Sequence, residues 1–351
     1  MNLKYDITFH PSWWHKYAGV DFTQEFFDEP EYRMECDLKM KKALYVHFGD
    51  YGLGDKAPEK RPLLGTDFLA AGYLYSEILG CEIIYEPDNS PQVICMGLDE
   101  DEIGKIEVPD LDKSEVWSRT QKQIDYLTEK YGHVESHVNL MGIQNIAMDI
   151  MGQDVMVDYY SAPDEVRALL QKIKDMSIDI GRRFYSLSKD ISGGVTAIVQ
   201  QDVPGNYLTS NCSVEMVSNQ LYEEFLLGYD QQLADAFPNF GIHHCGKSME
   251  HVVEGYSKIP QLKFAEVGAF SDIRRVREVL PDVFLNARYS PVRLCKASEQ
   301  EFMAEVRDLI LGGMNPAGQI SISCVGLDSN VDDKQIRYFL QACEEMRKEL
   351  A

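Results

Sequence analysis

The feature that most constrains this chain is a regular alternation of short apolar runs with longer amphipathic stretches, sustained from residue 113 to residue 348. Helical periodicity predicts helices at 113–130, 143–151, 162–187, 213–236, 249–256, 271–280, 298–311 and 331–348. Between them, β-rich runs predict strands at 134–140, 195–200, 240–243, 262–267, 283–286 and 320–323. Strands separated by helices pair in parallel, with the helices outside. A doubly wound sheet and a (β/α)8 barrel both satisfy that pattern. No G-x-G-x-x-G opens a helix after an early strand, which weakens a dinucleotide-binding sheet. The expected fold is therefore α/β, a (β/α)8 TIM-type barrel over residues 66–351 with an N-terminal extension over residues 1–65 packing on it. Ahead of the alternation, a helix is expected at 31–45, a loop at 52–65, a helix at 67–79 and a hairpin from strands 82–85 and 92–96.

Barrel enzymes carry their chemistry at the C-terminal ends of the strands. Several reactive residues fall there. His243 and Cys245 lie two apart where one strand ends, so an extended backbone points both to the same side. Glu266 ends the next apolar run and Cys324 the last one. Imidazole, two thiolates and a carboxylate suit tetrahedral Zn²⁺, so His243, Cys245, Glu266 and Cys324 are the expected metal ligands. Asp202, Asn206 and Tyr207 follow the strand expected to end near residue 200. They are expected at the same rim, Asp202 to orient a ligand or hydroxyl and the other two to line the pocket. His10, Trp13 and Trp14 form an aromatic cluster that can wall a substrate pocket or clasp the barrel.

Composition narrows the partners. The chain has 57 acidic against 34 basic residues, a formal net charge of −23. Such a surface repels nucleic acid and anionic membranes. Its eight cysteines are scattered without a C-x-x-C pair, which suits a reducing compartment better than a disulfide scaffold. The first residues lack an apolar signal core, and no apolar run reaches about 18 residues. A cytoplasmic location is expected, and a homodimer is one expected assembly.

Four passages resemble the uroporphyrinogen decarboxylase superfamily, and within it the zinc-dependent corrinoid methyltransferase branch. They are Gly142-Ile143-Gln144-Asn145-Ile146-Ala147, the stretch 158–170, His243-His244-Cys245-Gly246 and Ser323-Cys324-Val325-Gly326. The resemblance covers roughly residues 66–349. The arginine-rich N-terminal motif of true decarboxylases is absent, and Arg288 stands within a strand-end turn where a substrate or partner group can be contacted. The resemblance implies zinc-dependent methyl transfer between a small methylated substrate, such as an aromatic methyl ether, and a corrinoid, with Glu266 and Asp202 as catalytic residues. The chain has no D-x-H-x-x-G corrinoid motif, so the corrinoid is expected on a separate protein. Transfer from methyl-corrinoid to a thiol such as coenzyme M, and a metal-free decarboxylase-like activity, are the alternatives.

Overall fold

The computed structural model describes residues 3–188 and 197–351. Ten strands run in chain order: β1 (Lys4–Phe9), β2 (Leu63–Gly65), β3 (Glu82–Ile84), β4 (Gln92–Ile94), β5 (Glu135–His137), β6 (Asn206–Ser210), β7 (Asn239–His243), β8 (Leu262–Val267), β9 (Phe284–Tyr289) and β10 (Ile320–Leu327). Six form one sheet in the order β1-β10-β9-β8-β7-β6, parallel at every pairing. β2 and β5 form a second parallel pair, and a parallel bridge from Met141 to Ser210 links the end of β5 to β6. The result is an α/β fold with a curled parallel sheet of the TIM-barrel type. Among the described residues no strand pairing joins β1 to β2. The hairpin β3–β4 is antiparallel, as expected from the turn between its strands.

The long outer helices form where the sequence carries both an apolar face and a start signal. Ser114 accepts from Trp117 N at the start of Glu115–Tyr131, Pro163 opens Pro163–Leu187, and Ser298 with Glu301 closes a capping box on Glu299–Gly313. Their apolar faces and the outward side chains of the sheet share one buried cluster. A smaller cluster of Val199, Leu208 and Phe264, with Val203 and Phe284 against it, lies apart.

Several expected elements differ. Residues 195–196 of the strand expected at 195–200 lie outside the described residues, and Ile198–Asp202 is helical. The strand of this region is β6, several residues later. The helix expected at 67–79 forms only over Leu74–Ile78. The one expected at 213–236 breaks into a 3₁₀ turn, a short helix, a π segment Tyr222–Leu226 and the helix Leu227–Ala236. The N-terminal segment supplies β1, which pairs with β10 along its whole length.

Trp13 and Trp14 are fully buried rather than pocket walls. Trp13 stacks on Phe9 at 4.0 Å between ring centres, and Trp14 Nε1 donates to Phe68 O at 3.2 Å. His10 caps the helix Pro11–Ala18, its Nδ1 accepting from Ser12 N. The cluster is a clasp that fastens β1 to the outer layer. Trp14→Ala is expected to lower unfolding stability by about 3–5 kcal/mol through the cavity it leaves, while metal content stays as in the wild type. Denaturant unfolding and elemental analysis on the same preparation check both halves.

Polar side chains face one another across β9, β10 and β1. Ser323 Oγ donates to Asn286 Oδ1 at 2.6 Å, Asn286 Nδ2 donates to Ser321 Oγ at 2.8 Å, and Ser321 Oγ donates to Asp202 Oδ2 at 2.6 Å. Lys4 Nζ lies 3.3 Å from Asp202 Oδ1. Asp202 precedes β6, so it stands at the N-terminal end of the sheet and not at the catalytic rim. Asp6, the register partner of Ser323, carries a carboxyl that burial pushes up to about 7, with Asp67, Glu266 and Asp202 adding repulsion. The folded state therefore holds a proton that the unfolded chain releases near pH 4. This contribution is complete below that pH and is lost as pH rises through 7. Asp6→Asn is expected to melt higher than the wild type at pH 8 and to converge with it near pH 4, read by thermal melts across that range.

Candidate metal centre

The centre is built where β6, β7 and β8 end. His243 is the last residue of β7, and its register partner on β8 is Glu266. Both are buried, and His243 Nδ1 is hydrogen-bonded to the Glu266 carboxylate. That bond commits Nδ1, so Nε2 is the ring nitrogen left for the thiols or a metal. Cys245 follows two residues on, and the third member comes from the neighbouring strand. Ser210 of β6 pairs with His243, and Asn211 N donates to His243 O at 2.8 Å, which carries Cys212 alongside. Donor atoms of Cys212, His243 and Cys245 all lie within 4.8 Å of one another.

Neighbouring side chains hold these turns. Asn145 Nδ2 donates to Ser210 O at 2.7 Å, and its Oδ1 accepts from Ser213 N at 2.9 Å, so one amide brackets Cys212. Gly142 lets that helix approach, because a Cβ there would collide with Ser210 O. Behind the centre, Asp230 accepts from Asn211 Nδ2 and Tyr222 Oη, both at 2.8 Å. Burial pushes the Asp230 carboxyl up to about 6. Gly246 has no room for a Cβ because Glu215 lies against it, and Glu215 Oε2 is buried without a partner among the described residues. His244 points away, bonded to Tyr256 Oη at 3.0 Å and Ser248 O at 3.1 Å.

The electrostatics are those of a charged group sharing few protons. The Cys212 bond holds the Cys245 thiol well below its ordinary range against burial, helped by His243 and by Arg288. The Cys212 thiol is pushed up in return, first by that bond and then by burial. Burial works to lower His243, but the Glu266 charge and the bonds to Cys245 and Glu266 override it and raise the imidazole to about 9. A proton on His243 thus offsets part of the negative charge of Glu266 and Cys245, while Cys212 keeps its own. A divalent cation between the same three donors would balance that charge equally well. Two thiolates and an imidazole whose other nitrogen is bonded to a carboxylate are a zinc-type donor set.

The structure redistributes the expected site residues. Cys324 is not among the three donors. Ser321 and Ser323 bond to Asn286, so alternation along β10 turns Cys324 to the opposite, helix-facing side. There it is fully buried opposite Tyr289, and the Cys343 thiol of Asp333–Glu349 feels its charge. Glu266 orients His243 instead of standing as a separate ligand. Asn206 and Tyr207 open β6, at the far end from the centre, and Tyr207 stacks on Phe237. Cys212, Asn145 and Glu215 were not anticipated. Cys212 follows an apolar run, Tyr207-Leu208-Thr209, and its placement two residues past that strand was the available signal. Beside Cys212, a cavity of about 490 Å³ opens to solvent between Pro91, Val93, Met141 and Met148.

Metal content should separate the two late candidates. Cys212→Ser and Cys245→Ser are expected to reduce bound zinc from about one per chain to a small fraction. Cys324→Ser should keep it, as read by elemental analysis of reduced, chelator-free protein. Retention by Cys212→Ser with loss by Cys324→Ser would reverse the assignment.

Comparison with known proteins adds the following. The family model described as uroporphyrinogen decarboxylase (URO-D) matches residues 72–346. The fold is similar to that of a methyltransferase from Methanosarcina mazei, with 15% identity, 97% of this chain and 93% of that chain covered, and a TM-score of 0.65. It is also similar to a B12-independent methionine synthase from Shewanella sp. W3-18-1 in complex with selenomethionine, with 9% identity, 100% and 99% covered, and a TM-score of 0.50. No curated protein matches. At these identities the two structures speak for the fold.

Proposed function

The chain belongs to the uroporphyrinogen decarboxylase family, and from that premise we propose that it is a zinc-dependent methyltransferase. It moves a methyl group between a small methylated compound and a corrinoid carried by a separate protein. The observation that carries this reading is the convergence of Cys212, His243 and Cys245 within 4.8 Å at two adjacent strand ends. Porphyrinogen decarboxylation calls for cations to receive several carboxylates, and this centre is built of thiols and imidazole instead.

Cys212, His243 and Cys245 would hold the zinc. When bound, zinc supplies a Lewis-acid charge that keeps a thiol ionised or draws electrons from an ether oxygen. The chain's own residues do the rest. Glu266 fixes the ring and tautomer of His243, and Asn145 and Asp230 fix the turn that bears Cys212. The cavity beside Cys212 is walled by Pro91, Val93, Met141 and Met148 together with Asn145, Asp149 and Ser213, so its apolar part can take a substrate body such as an aromatic methyl ether. Three large apolar residues stand in the segments that follow β6, β8 and β9: Met216, Phe270 and Val292, exposed by 52%, 60% and 60%. An apolar rim of this kind suits a protein that covers the mouth. Helices long and apolar enough to cross a membrane are absent among the described residues.

The test uses zinc-loaded protein under anaerobic conditions with a corrinoid protein in its cobalt(I) state. Aromatic methyl ethers are expected to change the corrinoid absorption, and Cys245→Ser should abolish the change. Turnover only from methylated corrinoid to a thiol would replace the demethylase direction with the thiol-methylating one. No corrinoid change in either direction would sink the methyltransferase reading.

A further inference from the structure

The side chain of Arg288 is left over when the contacts of the centre have been assigned. It is the register partner of Ser323 and lies two residues beyond Asn286 on β9, so strand alternation places it on the face where Asn286 bonds to Ser321 and Ser323. Asn286 is in turn the register partner of Glu266. Arg288 thus stands one step further toward the C-terminal end of the sheet, beyond the level of the His243–Glu266 pair. Its charge reaches the sulfurs of Cys212, Cys245 and Cys324 alike.

Despite that position, Nη1 of Arg288 is buried with no hydrogen-bond partner among the described residues. A guanidinium presents five donors, and leaving one dry and unpaired is costly. The protein does not lack acids to pair with it, since the chain has 57. Other arginines are engaged: Arg61 grips Asp37 and Asp67, Arg293 holds Glu301 and Glu305, Arg277 bonds to four backbone carbonyl groups and a fifth on Gln319, and Arg119, whose Nε is also buried without a hydrogen bond, holds Glu77 through Nη2. Arg288 is the one beside the thiols.

We propose that Arg288 is the receptor for an anionic group of the substrate, a carboxylate or an anion of like geometry, held so that the opposite end of a short molecule reaches the Cys212–His243–Cys245 centre. A planar guanidinium suits a two-point grip on such an oxyanion. It also answers the global field: a chain of net charge −23 repels anions, so an anionic substrate needs a local cation at its destination. The substrate class becomes a small acid with its reacting methyl, ether or thiol function a few bonds from the anion. Arg288 then discriminates among substrates, while Cys212, His243 and Cys245 supply the donors that hold the metal.

This inference rests on the zinc-centre reading in that the metal anchors the probes. Cobalt(II)-substituted protein is titrated with 3-mercaptopropionate, neutral 2-mercaptoethanol and cationic cysteamine, followed by the sulfur-to-cobalt absorption. In the wild type the carboxylate thiol is expected to bind about 10- to 100-fold tighter than the neutral one, and the cationic one weakest. Arg288→Gln should bring the ratio of the first two near unity with cobalt content unchanged, and Arg288→Lys should restore part of it. Equal binding of the carboxylate and neutral thiols by the wild type overturns the inference while leaving the metal reading intact. So does a ratio that survives Arg288→Gln. Loss of cobalt from both Arg288 variants also overturns it, because the guanidinium would then serve to balance the thiolates. Protein that takes up no cobalt, or whose cobalt spectrum ignores all three thiols, fails the zinc-centre reading itself and removes the inference with it.

Discussion

The pairing of His243 with Glu266 across β7 and β8 is the interaction on which the centre depends. Both groups are buried, and either alone would be costly there: an unpaired carboxylate for its charge, an unpaired imidazole for its donor. Together they fix the ring, choose which nitrogen is free, and supply negative charge behind it. The pair also polices register. Side chains alternate along a strand, so a slip of one residue between β7 and β8 would turn Glu266 into the helical layer and leave His243 bare. The apolar partners Ala265 and Val267, buried on the outer face of β8, resist the same slip. Packing outside the sheet and chemistry inside it therefore demand one register.

The third donor is held by a different device. Cys212 lies beyond the end of β6, where no ladder of backbone bonds continues. Asn145 and Asp230 take over that task from two different helical segments, one bonding the carbonyl of Ser210 and the other the amide of Asn211. The π segment Tyr222–Leu226 belongs to this arrangement, since Tyr222 donates its hydroxyl to the same Asp230 carboxylate. A regular helix through 213–236 would place its residues differently against Asp230. The irregularity sits where a functional turn must be anchored, a place where π-bulges are often found.

The amphipathic helices and strands β7 to β10 could be read from periodicity, because their outward faces are uniformly apolar and their helices carry clear caps. β1 could not. Its inward residues Lys4, Asp6 and Thr8 look like surface positions, and only the polar contacts with Asp202 and the partner Ser323 explain why a strand so charged belongs in the sheet. The error over 195–200 had a larger consequence. Placing the strand too early moved Asp202, Asn206 and Tyr207 to the wrong end and hid Cys212, although the rule that strand ends carry the chemistry would have pointed to it. Cys324 shows a subtler limit. Its strand was recognised, but which face it shows depends on parity, and parity is set by the Ser321 and Ser323 bonds to Asn286.

The same parity explains how one small sheet keeps several cysteines apart in character. Burial pushes the thiol of Cys324 up on the helical side, where Cys343 lies beside it, and the backbone bond from Val325 and the charge of Arg288 are too weak to offset it. Cys245 is drawn down on the other side by Cys212, His243 and Arg288. A buried thiol without a polar partner is a small hydrophobe, whereas a thiol beside an imidazolium and another thiol is a nucleophile or a ligand. Cys324 and Cys245 share a chain and a chemical type, and what distinguishes them is which side of the parallel sheet they face. Reactivity here is a property of the sheet's two sides before it is a property of any residue.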